Sequence, residues 1–260
     1  MKVTILMFLS ILIYSCNFKK QEQSYNFKKV DSTITHKVIK KSNHTSKNIE
    51  VGYSDTYEKL PTLVFDTLSE SEFNTLKPAK GINKIDTKQN ESFFFIQTAL
   101  KKHKFKKFKD YGGNEGWSGY DLIGYYPKLK LFAITEISTS DEFSLGELFL
   151  LDSLTDYKYK IISFGDGSVE TPIPSINNKY LIYYYNYIND DNCSIGILKI
   201  NDKTNPKNYL KEYASYNSTE FAIENIVWKS DNCFYVKGYN EIYEKKETIK
   251  KYKYYQTTFR

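Results

Sequence analysis

The second half of the chain alternates short apolar runs with polar breaks, and two of those runs are near copies. SLGELFLLD (Ser144–Asp152) falls on SIGILKIND (Ser194–Asp202) at a shift of 50 residues. Ser144/Ser194, Leu145/Ile195, Gly146/Gly196, Leu148/Leu198, Leu150/Ile200 and Asp152/Asp202 match in type. At the same shift, Lys130–Ile137 falls on Tyr180–Tyr187. Each unit reads as a proline or turn, a strand of about eight residues, a polar loop, a second strand, an acidic turn and a third strand. The third strands are Tyr157–Ser163 and Asn208–Ser215, and a more degenerate copy begins at NIVWKSDNCFYVKGYN (Asn225–Asn240). Strands repeating at a period near 50 predict an array of small sheets. One antiparallel sheet cannot cover both its faces, so it stacks on its neighbours.

Upstream, LPTLVFDTL (Leu60–Leu68) has a strand-like apolar core. Ser69 followed by Glu72 is a capping-box pattern, which predicts a short helix from Glu70 to about Leu76, stopped by Pro78. Phe93–Thr98 is an apolar run of strand length. In KKHKFKKFKDY (Lys101–Tyr111) the spacing of Phe105 and Phe108 suits a helix, but so dense a lysine run also suits an exposed edge strand, and its surroundings favour the strand. Residues 17–58 are dominated by Lys, Ser, Thr, Asn and Gln and read as a tether, within which VDSTITHKV alternates weakly.

The stretches Pro127–Ile134 and Pro174–Leu181 resemble the opening of a blade in β-propellers of the TolB-like or kelch-length kind, over about residues 120–260. The resemblance implies an all-β, propeller-like array of about four small antiparallel sheets, closed or open, with one short helix near 70–76. Three units are clear and a fourth fits within 60–120, against the four to eight blades of a propeller. A β-sandwich with one duplicated hairpin is the alternative.

The N-terminus changes the picture. The apolar run Val3–Tyr14 is about 12 residues, roughly 18 Å as a helix, which is too short for a bilayer core. With Lys2 before it, it fits the apolar region of a secretory signal. Ile13-Tyr14-Ser15-Cys16 resembles the lipobox of bacterial lipoproteins, with Tyr14 bulkier than usual. That resemblance implies cleavage before Cys16, a diacylglycerol on its thiol and acylation of the new amine. Several acyl chains on one residue anchor stably where a single chain is marginal. The division expected is therefore a signal peptide over 1–15, a lipidated N-terminus and flexible tether over 16–58, and an all-β domain over 59–260. Position 17 is Asn rather than Asp, and no acidic cluster follows Cys16. The expectation is an outer-membrane anchor with the domain facing the periplasm, surface exposure being the other arrangement.

Composition supports strands over disorder: 17% of residues are aromatic and 24 are tyrosine. The net charge is +6, yet Arg260 is the single arginine. A nucleic-acid reader uses the arginine fork on phosphate and guanine, so no nucleic-acid partner is expected.

Candidate chemistry is sparse. His36 and His44 lie in the tether, and His103 in the lysine run reads as a solvated surface residue. Nucleophilic triads and zinc sites need histidines held among converging partners. Glu136, Asp141, Glu142, Glu147, Asp166 and Glu170 are the carboxylates from which an acid pair would be drawn, though Asp166 in FGDGS is explained by turn chemistry. NDDN (Asn189–Asn192) clusters oxygen ligands without the spacing or the glycine of a calcium-binding EF-hand loop. No catalytic residue, metal ligand or cofactor is assigned. The candidate binding surface is the aromatic stretch DYGGNEGWSGYDLIGYY, with Tyr111, Trp117, Tyr120, Tyr125 and Tyr126. The plainer reading makes its alternate aromatics the inward face of a strand, with Trp117 capping the core. Cys193 and Cys233 are a candidate disulfide, closing a loop of about 40 residues for roughly 3–4 kcal/mol. The blade reading opposes it, because it puts the two strand starts at opposite sheet ends, beyond the 7 Å or so that Cα atoms can span.

The leading functional expectation is a lipid-anchored envelope protein, a binding or scaffold module for a protein or glycan partner. An enzyme acting on envelope glycan or peptide through acidic residues is the first alternative. An inhibitor or immunity-type lipoprotein presenting a loop near 110–120 is the second.

Overall fold

The computed structural model describes residues 47–52, 59–78, 81–109, 116–140, 143–187, 191–244 and 247–259. Among the described residues there are four sheets and two one-turn helices, so the fold is all-β. The first sheet is β3 (Lys88–Gln89), β4 (Phe93–Gln97) and β5 (Lys102–Lys106). The second is the meander β6 (Trp117–Tyr126), β7 (Leu131–Ser140), β8 (Phe143–Asp152) and β9 (Lys158–Ile162), with β1 (Asn48–Gly52) added parallel to β9. The third is β10 (Ile173–Pro174), β11 (Tyr180–Asn186), β12 (Cys193–Ile200) and β13 (Leu210–Ser218), the last preceded by helix α2 (Pro206–Tyr209). The fourth is β14 (Ala222–Ser230), β15 (Cys233–Glu244) and β16 (Glu247–Thr258), completed by β2 (Phe65–Leu68) antiparallel to β16.

Strict alternation along the central strands makes each inner sheet apolar on both faces. Leu131, Ala133, Leu148, Leu150, Tyr159 and Ile161 of the second sheet meet Leu181, Tyr183 and Leu198 of the third. The intervening Phe132, Ile134, Phe149 and Leu151 meet Phe94, Ile96 and Phe105 of the first. On the far face of the third sheet, Ile182, Ile195 and Ile197 pack with Ile223, Trp228, Phe234 and Val236 of the fourth. Each side chain so buried contributes about 1.5–3 kcal/mol relative to exposure. Among the described residues no hydrophobic cluster joins the fourth sheet to the first and no sheet closes on itself, so the array is open.

An open stack has two outer faces to cover. On the fourth sheet, Phe73 of α1 (Glu70–Phe73) packs on Val227 and Tyr235. On the first, Phe93 and Phe95 lie under the ammonium groups of Lys104 and Lys102, 3.8 and 4.2 Å from the ring centroids. The helix starts at the capping box read from the sequence. Glu72 N–H donates to Ser69 Oγ, and the Ser69 hydroxyl and then its N–H donate to a Glu72 carboxylate oxygen, which together hold the Glu72 carboxyl below the usual range. It ends at Asn74, earlier than Leu76. Ser69→Ala is expected to lower stability by about 1 kcal/mol in urea titrations.

The two sequence copies are β8 and β12, but their glycines sit in different surroundings. A Cβ on Gly196 would lie 2.3 Å from Cζ of Tyr183, whose buried ring stacks on Phe164 at 5.2 Å. Gly52 crowds the same hydroxyl, at 2.7 Å from its own would-be Cβ. A Cβ on Gly146 meets Ser168 at 3.0 Å and nothing closer. Gly196→Ala is therefore expected to cost about 1–3 kcal/mol and Gly146→Ala clearly less, read from paired denaturation midpoints.

Two expectations are corrected. The domain starts earlier than residue 59, because β1 pairs in register with β9 from Asn48↔Lys158 to Gly52↔Ile162. The disulfide is absent: both thiols are free and buried. Cys193 lies between the third and fourth sheets, whereas Cys233 lies on the far face of the fourth beneath α1, so that sheet separates them. Burial pushes the Cys193 thiol up to about 12, which leaves it unreactive.

Candidate functional site

The first sheet covers only part of the second-sheet face it packs on. Beyond Phe149 that face continues with charged residues, held there by the same alternation that buries Phe132 and Ile134. Glu136 on β7 stands directly opposite Glu147 on β8. Phe149 is opposite Lys160 on β9, and β1 sets Asn48 opposite Lys158 and Glu50 opposite Lys160. These seven residues line a recess of about 270 Å³.

Two of its five charged groups pair with each other, and a third is engaged by a neighbouring phenol. Lys160 Nζ is 2.7 Å from Glu147 Oε1, and that hydrogen bond raises the lysine pKa, with burial opposing and the charges of Glu147, Glu50 and Glu136 assisting. Tyr120 on β6 donates its hydroxyl to Glu136 Oε1 at 2.8 Å. Burial first, then this bond and the Glu136 charge, pushes the phenol up to about 12. Lys158 differs. Its Nζ lies 4.8 Å from the Phe149 ring centroid and 5.9 Å from that of Phe105, with no hydrogen-bond or ion-pair partner among the described residues. Burial lowers its pKa, Lys101 adds to the lowering and Glu136 opposes it. The recess thus holds carboxylates, a paired ammonium and an unpaired amine over an aromatic floor.

The aromatic residues singled out from the sequence do not form one surface. Among those described, Tyr120 reaches the recess through its bond to Glu136. Trp117 is half-buried at the start of β6, where its backbone N–H donates to Thr139 Oγ1. Tyr125 is half-buried against Phe132 at 4.6 Å. Tyr126 is 1% exposed and donates to the Pro172 carbonyl, so it is a core residue. A bulge between Leu122 and Gly124 shifts the alternation and sends Tyr126 to the third-sheet side. Tyr111 lies outside the described residues, as do 110–115 of the loop on which the inhibitor reading rests.

Of the candidate acids, the fold brings Glu136 and Glu147 together, while Asp141 and Glu142 lie outside the described residues. Asp191 accepts from the Glu241 N–H at 2.9 Å, and its neighbours Asn189 and Asp190 lie outside the described residues. His103 is not solvated: its side chain is 11% exposed and Nε2 is 3.0 Å from Asp156 Oδ1, tying the first sheet to the second. His36, His44 and Cys16 lie outside the described residues. Among the described residues no group of His, Cys, Asp or Glu is placed to hold a metal.

Sequence reading missed Lys158, Lys160, Asn48 and Glu50. The two lysines carry a signal, since they flank Tyr159 in YKYKIIS at strand period, with Tyr159 and Ile161 inward. Asn48 and Glu50 carry none, because they sit in a polar stretch whose pairing with β9 is non-local. No protein-family model, curated protein or solved structure matches this chain.

Proposed function

We propose that this chain is a lipid-anchored envelope protein whose all-β domain is a binding module, with the recess on the second sheet engaging a protein or glycan partner. The carrying observation is the recess itself, where Glu50, Glu136, Glu147, Lys158 and Lys160 gather over Phe149 on a sheet face otherwise packed against the first sheet. Charges of both signs beside an aromatic ring suit a partner offering hydroxyls and mixed charge. The lipobox Ile13-Tyr14-Ser15-Cys16 supports the anchor, placed in the outer membrane with the domain on the periplasmic side. About 30 residues separate Cys16 from β1, a reach of at most ~100 Å.

Cys16→Ala is expected to move the protein from the membrane to the soluble fraction, and retention in the membrane would refute the anchor. The wild-type domain is expected to resist protease on intact cells until the outer membrane is breached. A photo-crosslinking residue at position 48 is expected to capture a partner in cells, and Glu147→Gln with Lys160→Gln to abolish capture. Capture unchanged by those substitutions would refute the recess as the site.

A second reading, hydrolysis of an envelope glycan or peptide, draws on the direct opposition of Glu136 and Glu147. Cβ atoms of such a pair lie about 4.5–5.5 Å apart, compatible with the carboxyl spacing of retaining glycosidases, about 5–5.5 Å. Turnover of peptidoglycan fragments abolished by Glu136→Gln would favour it over the binding module.

A further inference from the structure

We propose that Lys158 is a nucleophilic amine that captures small aldehydes as a Schiff base within the recess. Its surroundings set it apart from the surface lysines of this lysine-rich chain. The amine is half-buried between the Phe149 and Phe105 rings and opens onto the recess. Its neighbour Lys160 is occupied by Glu147, and Glu136 is engaged by Tyr120. The groups facing it are Asn48 and Glu50 from β1, Lys160 from its own strand, Phe149 and Glu147 from β8, and Glu136 from β7. From the first-sheet side come Phe105 and the charge of Lys101.

An ammonium without a carboxylate partner, held against aromatic walls, loses hydration that nothing fully replaces. Burial therefore favours the neutral amine, whose lone pair is the nucleophile. In the reaction that lone pair attacks the aldehyde carbon and the carbonyl π electrons move to oxygen, giving a carbinolamine. The carbon–oxygen bond then breaks, the two amine protons leave with that oxygen as water, and the imine remains. No oxidant or reductant is consumed.

This inference rests on reading the recess as open to ligands, and not on the anchor or on a macromolecular partner. The test is competitive labelling of the full chain, purified in detergent, with limiting propanal and cyanoborohydride at pH 7.5. Cyanoborohydride reduces the imine to a stable secondary amine that peptide mapping locates. Lys158 is expected to be modified faster than exposed lysines such as Lys128 or Lys207, because burial favours its neutral amine. The preference is expected to vanish in denaturing urea, and Lys158→Arg to remove the fast site without creating another. Labelling of Lys158 no faster than Lys128, or a preference that survives urea, would overturn the proposal. Fast labelling of Lys158 alongside a failed crosslink at position 48 would refute the partner reading and leave this one standing.

Discussion

Raising the pH from 10 to 12 is expected to unfold the domain cooperatively. Tyr126, Tyr159 and Tyr209 are no more than 2% exposed, and burial pushes all three phenols above the ordinary tyrosine range. The Asp152 charge adds to the shift at Tyr159 and Tyr209. Tyr126 donates to the Pro172 carbonyl at 2.5 Å and Tyr209 to the Leu129 carbonyl at 3.5 Å, so ionisation would also turn these donors into anions facing acceptors. In the unfolded chain the same groups ionise near pH 10. Their folded pKa values are raised, so the stability they carry is fully present below pH 10 and is lost as pH rises toward the folded values. Each such phenol costs about 1.4 kcal/mol per pH unit above 10, so three remove about 4 kcal/mol at pH 11. That is a large share of the 5–15 kcal/mol typical of a domain. Tyrosinate absorbance and far-ultraviolet circular dichroism are expected to change together in one steep step, and Tyr209→Phe to move that step to higher pH. Gradual ionisation with the dichroism intact would contradict this account.

Replacing Asp152 with alanine is expected to destabilise the domain by about 3 kcal/mol. The carboxylate is fully buried at the end of β8. It receives Lys203 Nζ at 2.6 Å and the N–H groups of Leu154 and Thr155 at 2.8 and 3.2 Å. Lys203 follows β12 of the third sheet and also donates to the Leu129 carbonyl at 2.6 Å, so the pair fastens the second sheet to the third. Removing the carboxylate leaves Lys203, whose side chain is 25% exposed, without its counter-charge and leaves two turn N–H groups without their acceptor. Asp202, the repeat equivalent, is exposed and is bonded by the Thr204 N–H at 2.7 Å and by the Thr204 side chain, both within its own turn, so Asp202→Ala is expected to do far less. Asp152→Asn keeps an acceptor for the turn but not the counter-charge, and is expected to fall between. Urea midpoints of the three variants separate the turn from the ion pair, and equal losses for Asp152→Ala and Asp202→Ala would show that the ion pair carries nothing.

The two aspartates also mark how far the sequence could be read. The repeat at 50 residues identified them as equivalent turn residues, and in the structure each accepts the backbone N–H groups of its own turn. What differs is what lies across from them. Only at Asp152 does a lysine from another sheet arrive, and no local pattern announces that. Gly146 and Gly196 differ in the same way, one beside a serine and the other under a packed tyrosine ring.

Whatever depends on neighbours along the chain was legible from the residues alone. The two-residue alternation of β7, β8, β11 and β12 settled strands with two apolar faces, and Ser69 with Glu72 settled the start of α1. Which distant edges pair, and where covering stops, emerged only in the folded chain. β1 joins β9 across more than a hundred residues, and β2 completes a sheet whose other strands lie at the C-terminal end. A single bulge in β6 moved Tyr126 from a supposed binding surface into the core. The recess exists because the first sheet ends short of Glu136 and Glu147 and because β1 brings Glu50 beside Lys160. Period and capping are fixed by sterics and hydrogen bonds within a few residues. Edge pairing and coverage are fixed by the sum of many weak contacts between segments far apart in sequence, and that sum is evaluated only when the chain is folded.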